Sequence, residues 1–113
     1  MSAITTHVLD TARGRPAAGM RVRLEIQDAG AWRALGRGVT DADGRLRTLM
    51  SSDSPLESGV HRLIFETADY FRDLRQSVFY PRVVVEFVVV QGESHYHVPL
   101  LLSPFGYTTY RGA

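Results

Sequence analysis

The chain has 113 residues, no cysteine and a formal net charge of +1. That length suits one domain spanning 1–113 and large enough to bury a core unaided. The missing cysteines exclude disulfides and thiolate metal centres and are compatible with a cytoplasmic location. The 13 basic residues are all arginine and lie scattered, so nothing points to capture of nucleic acid.

The opening Met1-Ser2-Ala3-Ile4-Thr5-Thr6 has neither a basic start nor an apolar run, and no signal peptide is expected. Ile4 to Leu9 reads as a first strand, with Thr6, Val8 and Asp10 on one face and Thr5, His7 and Leu9 on the other. Ala12 to Pro16 reads as a loop punctuated by Gly14 and Pro16. Val22, Leu24 and Ile26 alternate with Arg21, Arg23, Glu25 and Gln27, the pattern of a half-buried strand. Asp28-Ala29-Gly30 turns into a strand from Trp32 to Val39, which Gly36 and Gly38 weaken.

Asp43-Gly44 closes a second turn, and Arg45 to Leu49 is predicted as a short strand. After a polar loop over 51–58, His61 to Glu66 reads as a strand. Thr67 to Gln76 is the predicted helix, capped by Thr67, with Tyr70, Phe71 and Leu74 at helical spacing. Val83 to Val90 is apolar on both faces except for Glu86, and is far too short to span a bilayer. Val84, Val88 and Val90 lie opposite the Val83, Val85, Phe87 and Val89 face, which is too much apolar surface for one core. A symmetric homo-oligomer is the simple explanation. A strand from His95 to Ser103 places His95, His97, Pro99 and Leu101 on one face and Tyr96, Val98, Leu100 and Leu102 on the other. Pro104-Phe105-Gly106 breaks it, and Tyr107 to Arg111 returns. About eight short strands and one helix, without a repeat, predict an all-β sandwich.

Several side chains can carry chemistry. An imidazole at His97 titrates near neutrality and can act as a general base, although a histidine packed at a sheet edge fits the same pattern. Arg45 follows a tight turn and offers a fixed guanidinium to a carbonyl or oxyanion, or is one solvated arginine among many. His95 shares a face with His97, and with His7 they could form a three-histidine metal site. His61 reads as structural. No Gly-x-Ser-x-Gly motif and no cysteine supply a nucleophile.

Three separated stretches carry a family resemblance. Thr5-Thr6-His7-Val8-Leu9-Asp10-Thr11 with Gly14, Pro16 and Gly19, then Asp43-Gly44-Arg45, and then the His97-to-Leu102 strand ending in Tyr110-Arg111-Gly112-Ala113 together resemble the 5-hydroxyisourate hydrolases, transthyretin-related enzymes of urate breakdown. The family pattern ends in Tyr-Arg-Gly-Ser, so Ala113 departs from it. The resemblance implies a transthyretin-like sandwich of two four-stranded sheets. It also implies a homotetramer, a dimer of dimers whose channel holds the active sites. The implied reaction opens 5-hydroxyisourate at a cyclic amide to 2-oxo-4-hydroxy-4-carboxy-5-ureidoimidazoline, without cofactor or metal. His7, Arg45 and His97 are the implied catalytic residues, and Tyr110, Arg111, Gly112 and Ala113 join His7 and Arg45 in holding substrate, with the end of the chain serving the site. The rival is a transthyretin-like carrier without catalysis; fold alone does not choose between them.

Overall fold

The computed structural model describes residues 2–113. In chain order the elements are β1 (Ile4–Asp10), β2 (Arg15–Pro16), β3 (Arg21–Asp28), β4 (Ala31–Val39), β5 (Arg45–Leu46), β6 (Gly59–Phe65), α1 (Thr67–Asp73), β7 (Val83–Val89), β8 (Tyr96–Ser103) and β9 (Gly106–Thr109). They form two sheets. One is ordered β4-β3-β6-β7, all antiparallel. The other is ordered β2-β1-β8-β9, with β5 also paired to β1. In this second sheet β1 and β8 run parallel, and that pairing sets Thr5 opposite His97 and His7 opposite Pro99.

Alternation dictates which faces meet. Val22 and Leu24 from β3, Leu63 and Phe65 from β6, and Val83, Val85 and Val89 from β7 pack against Ile4 and Val8 from β1 and Tyr96, Val98, Leu100 and Leu102 from β8. Each such apolar side chain contributes about 1.5–3 kcal/mol on burial, so a one-residue slip of any strand is strongly disfavoured. Asp10 lies on the inward face of β1 and is fully buried. It survives there because the Tyr70 hydroxyl of α1 donates to its Oδ2 at 2.8 Å and the Arg13 amide to its Oδ1 at 3.1 Å. Burial, and then that carboxylate, push the Tyr70 phenol up to about 12. No helix among the described residues is long and apolar enough to cross a membrane.

The elements depart from the sequence expectation in several places. Arg15 and Pro16, read as loop, pair with Asp10 and Leu9, so this sheet has five strands and not four. The predicted Arg45–Leu49 strand stops at Leu46. Beyond it the chain folds inward to bury Leu49 and Met50, and the Leu49 carbonyl lies where a side chain at Gly36 would have to be. The helix ends at Asp73, because Arg75 takes a left-handed backbone with φ 57. Thr67 does not cap it; its hydroxyl donates to the Tyr80 carbonyl at 2.6 Å, tying the helix to the approach of β7. The His95–Ser103 strand begins at Tyr96. The last strand ends at Thr109, leaving Tyr110 and Arg111 beyond it.

Candidate active site

The β5 edge of the second sheet is where the polar residues collect. Asp41-Ala42-Asp43-Gly44 is a turn whose geometry follows from its residues. The Asp41 carboxylate accepts from the Asp43 amide at 2.9 Å and from the Arg45 amide at 3.0 Å. Those bonds, the one from Arg45 first, hold the Asp41 carboxyl below its ordinary range. Gly44 has φ 75, and a Cβ there would come within 2.3 Å of the Val8 carbonyl, so only glycine lets the turn lie against β1. The Val8 amide closes this contact by donating to the Gly44 carbonyl at 2.7 Å. The turn thereby delivers Arg45 opposite His7 in the β1–β5 ladder.

His97 enters from β8. Its Nδ1 lies 2.8 Å from the hydroxyl of Thr5, which is buried beneath it. Beyond β9 the end of the chain continues alongside β8, and the Gly112 amide donates to the His97 carbonyl at 2.8 Å. A Cβ on Gly112 would lie 2.7 Å from His97 Cδ2, so glycine is required for the close approach. The result is a recess of ≈ 230 Å³ lined by Thr5, Thr6, Arg45, Arg47, His95, His97 and Ala113. No acidic side chain is among its lining residues. Partial burial, and then the cationic field of Arg45 with His7, His95 and Arg47, lower the His97 pKa below the ordinary 6.5. His97 is therefore held neutral at physiological pH in a positively charged setting, able to take a proton while the arginines attract an anion.

The sequence-predicted residues divide. Arg45, His97 and Ala113 come together in the recess, and Gly112 packs behind the His97 ring. His7 neighbours Arg45 in the ladder, but its Nε2 is turned to the Asp43 carbonyl at 2.9 Å. Tyr110 and Arg111 do not line this recess. They border a separate cleft of ≈ 350 Å³ between β7 and the β8–β9 hairpin, where the Arg111 guanidinium lies 4.5 Å over the Tyr96 ring and 3.5 Å from Glu93. His95, His97 and His7 do not form a metal set: among the described residues no group of three histidine, cysteine or acidic side chains is placed to hold an ion. His61, read as structural, is fully buried against Phe87 in the other sheet and does not line the recess. Sequence reading passed over Thr5 and Arg47. Both carried a signal, since Thr5 shares a strand face with His7, and Arg47 follows Arg45 at an interval of two.

Residues 4–112 match the HIUase/Transthyretin family. A 5-hydroxyisourate hydrolase of Caulobacter vibrioides is 44% identical over 117 residues, covering 100% of both chains. The solved structure of Klebsiella pneumoniae 5-hydroxyisourate hydrolase superposes with a TM-score of 0.85 at 34% identity, over 99% of this chain and 100% of that one. Sea bream transthyretin in complex with thyroxine superposes with a TM-score of 0.91 at 32% identity, over 98% of this chain and 95% of that one. The sandwich is thus transthyretin-like, and the chain belongs to the HIUase/transthyretin family.

Proposed function

We propose that this protein hydrolyses 5-hydroxyisourate in urate breakdown, opening the six-membered ring at a cyclic amide to give 2-oxo-4-hydroxy-4-carboxy-5-ureidoimidazoline. The observation that carries this reading is the recess: a neutral histidine beside two arginines, with no acidic side chain among its lining residues. The near relatives named for the same hydrolysis support it. His97, with His7 beside it, takes a proton from water as the water oxygen bonds to the amide carbon. The carbonyl oxygen gains negative charge, which Arg45 and its neighbour Arg47 hold. When the adduct collapses the carbon–nitrogen bond breaks, and the imidazolium returns the proton to the leaving nitrogen. One fixed donor to such an oxyanion is worth about 10²–10³-fold in rate, so no cofactor is needed. The product carries a new carboxylate, which suits an arginine-lined recess. We place the reaction in the cytoplasm, which the cysteine-free composition permits.

The carrier reading draws on the likeness to thyroxine-bound transthyretin. The polar lining weighs against it, since the large iodinated rings of thyroxine gain little from two arginines and two histidines. The working form is a homotetramer, a dimer of dimers. Val84 and Val88 on β7, an edge strand, and Val90 just after it are 43%, 60% and 50% exposed, which supports assembly there. Gly112 and Ala113 shape the recess of their own chain, while Tyr110 and Arg111 belong to the site through assembly. Adding freshly generated 5-hydroxyisourate and following its decay tests the function. Decay well above the spontaneous rate supports the enzyme; decay at the spontaneous rate, with thyroxine bound, favours the carrier.

A further inference from the structure

Two histidines flank the site, and different kinds of atom hold them. The His7 Nε2 lies 2.9 Å from the Asp43 carbonyl oxygen. A carbonyl only accepts, so this contact requires a proton on Nε2 and holds His7 in one tautomer. The His97 Nδ1 lies 2.8 Å from the Thr5 hydroxyl. A hydroxyl both donates and accepts. It donates to Nδ1 when the neutral ring carries its proton on Nε2, and accepts from Nδ1–H when Nε2 is bare or when the ring is charged. The contact therefore survives each protonation state that a base, and then an acid, must pass through. The backbone supports it, because Thr5 and His97 are direct partners in the parallel β1–β8 ladder. Thr5 is only 4% exposed, so water has little access with which to replace its hydroxyl. Gly112 also lies close to the ring, since a Cβ there would come within 2.7 Å of His97 Cδ2. The His97 Nε2 makes no hydrogen bond among the described residues, and its ring lines the recess.

We propose that Thr5 is a positioning residue for the hydrolysis, whose hydroxyl holds His97 in place through every protonation state and so makes His97, and not His7, the histidine that carries the proton from water to the leaving nitrogen. This rests on the hydrolase reading. Thr5→Val keeps the branched shape and removes the hydroxyl; Thr5→Ser keeps the hydroxyl. Steady-state kinetics and nitrogen-15 spectra of the histidine rings read the two consequences separately. Thr5→Val should lower kcat roughly 10-fold with little change in KM, and should move the Nδ1 resonance of His97. Thr5→Ser should restore both. Unchanged kcat in Thr5→Val, or a fall that Thr5→Ser shares, overturns the positioning role. An Nδ1 resonance unmoved by Thr5→Val overturns the contact itself, and does so without reference to any substrate. If the parent protein leaves 5-hydroxyisourate at its spontaneous rate while the Nδ1 resonance does respond, it is the hydrolase reading that fails.

Discussion

His97 and His61 occupy opposite sheets, and burial lowers the pKa of each, yet their surroundings assign them different work. His61 sits inside the β3–β6–β7 layer, fully buried, stacked on Phe87 with ring centroids 5.8 Å apart. Its Nδ1 meets the Gly59 carbonyl at 3.1 Å, and its Nε2 has no protein partner. Burial lowers its pKa first; the Gly59 carbonyl and the Glu57 carboxylate oppose that. His97 is only half-buried, opens on a recess, and has arginines around it with no acidic side chain among the residues that line that recess. A lowered histidine pKa is thus no mark of catalysis by itself. What separates the two is access to water and the sign of the neighbouring charge.

The largest effect expected from breaking this contrast is on His97 and Arg45. His97→Ala and Arg45→Ala should each lower kcat/KM by about 10²-fold or more, with melting temperature nearly unchanged, because neither side chain belongs to the core. Loss of folding along with activity would make them structural residues. Gly112→Ala comes next. The added Cβ must displace the His97 ring or the 110–113 segment, and a displacement of about 1 Å should lower kcat/KM by about 10- to 100-fold. A variant with parental kinetics would show that the ring has room to spare. Ala113→Ser works in the other direction. A hydroxyl restored beside His97 should raise kcat/KM roughly 2–12-fold, the value of one hydrogen bond; equal constants would reduce the end of the chain to a shape element. His61→Phe should leave the kinetics unchanged and alter only stability against pH. A histidine with a depressed folded pKa adds stability that is present above the unfolded value near 6.5 and lost as pH falls through the folded value. The melting temperature should therefore fall less between pH 7.5 and 5 in His61→Phe than in the parent, and an identical fall would remove His61 from the acid response.

The sandwich was legible because its evidence is local and repeated. Val22, Leu24 and Ile26, and Tyr96, Val98, Leu100 and Leu102, mark buried faces by alternation, and Asp43-Gly44 marks a reversal. The two-residue strands were not, since Arg15 and Pro16 gain strand character only from β1 lying beside them. Thr67 misled for a related reason: a hydroxyl that suits a cap was claimed by the distant Tyr80 carbonyl. Motif order pointed to His7, Arg45 and His97, of which Arg45 and His97 line the recess, but their relations come from tertiary pairing. Neither the Thr5–His97 contact across 92 positions nor the turn of His7 toward Asp43 follows from spacing along the chain. Tyr110 and Arg111 lie next to Gly112 in sequence, yet they border a different cleft, although the His97–Gly112 bridge continues the β8–β9 register past them.

The central claim is that His97 works as a neutral base in a cationic recess, and the pH dependence of kcat/KM tests it most directly. The profile should be recorded for the parent, His61→Phe and Arg45→Ala proteins. Activity should rise with pH along an acid limb centred below 6.5 in the parent and be unmoved in His61→Phe. In Arg45→Ala the limb should shift upward, because one of the charges opposing protonation of His97 is gone. A parental limb at or above 6.5, or one that moves with His61 and not with Arg45, would contradict the account.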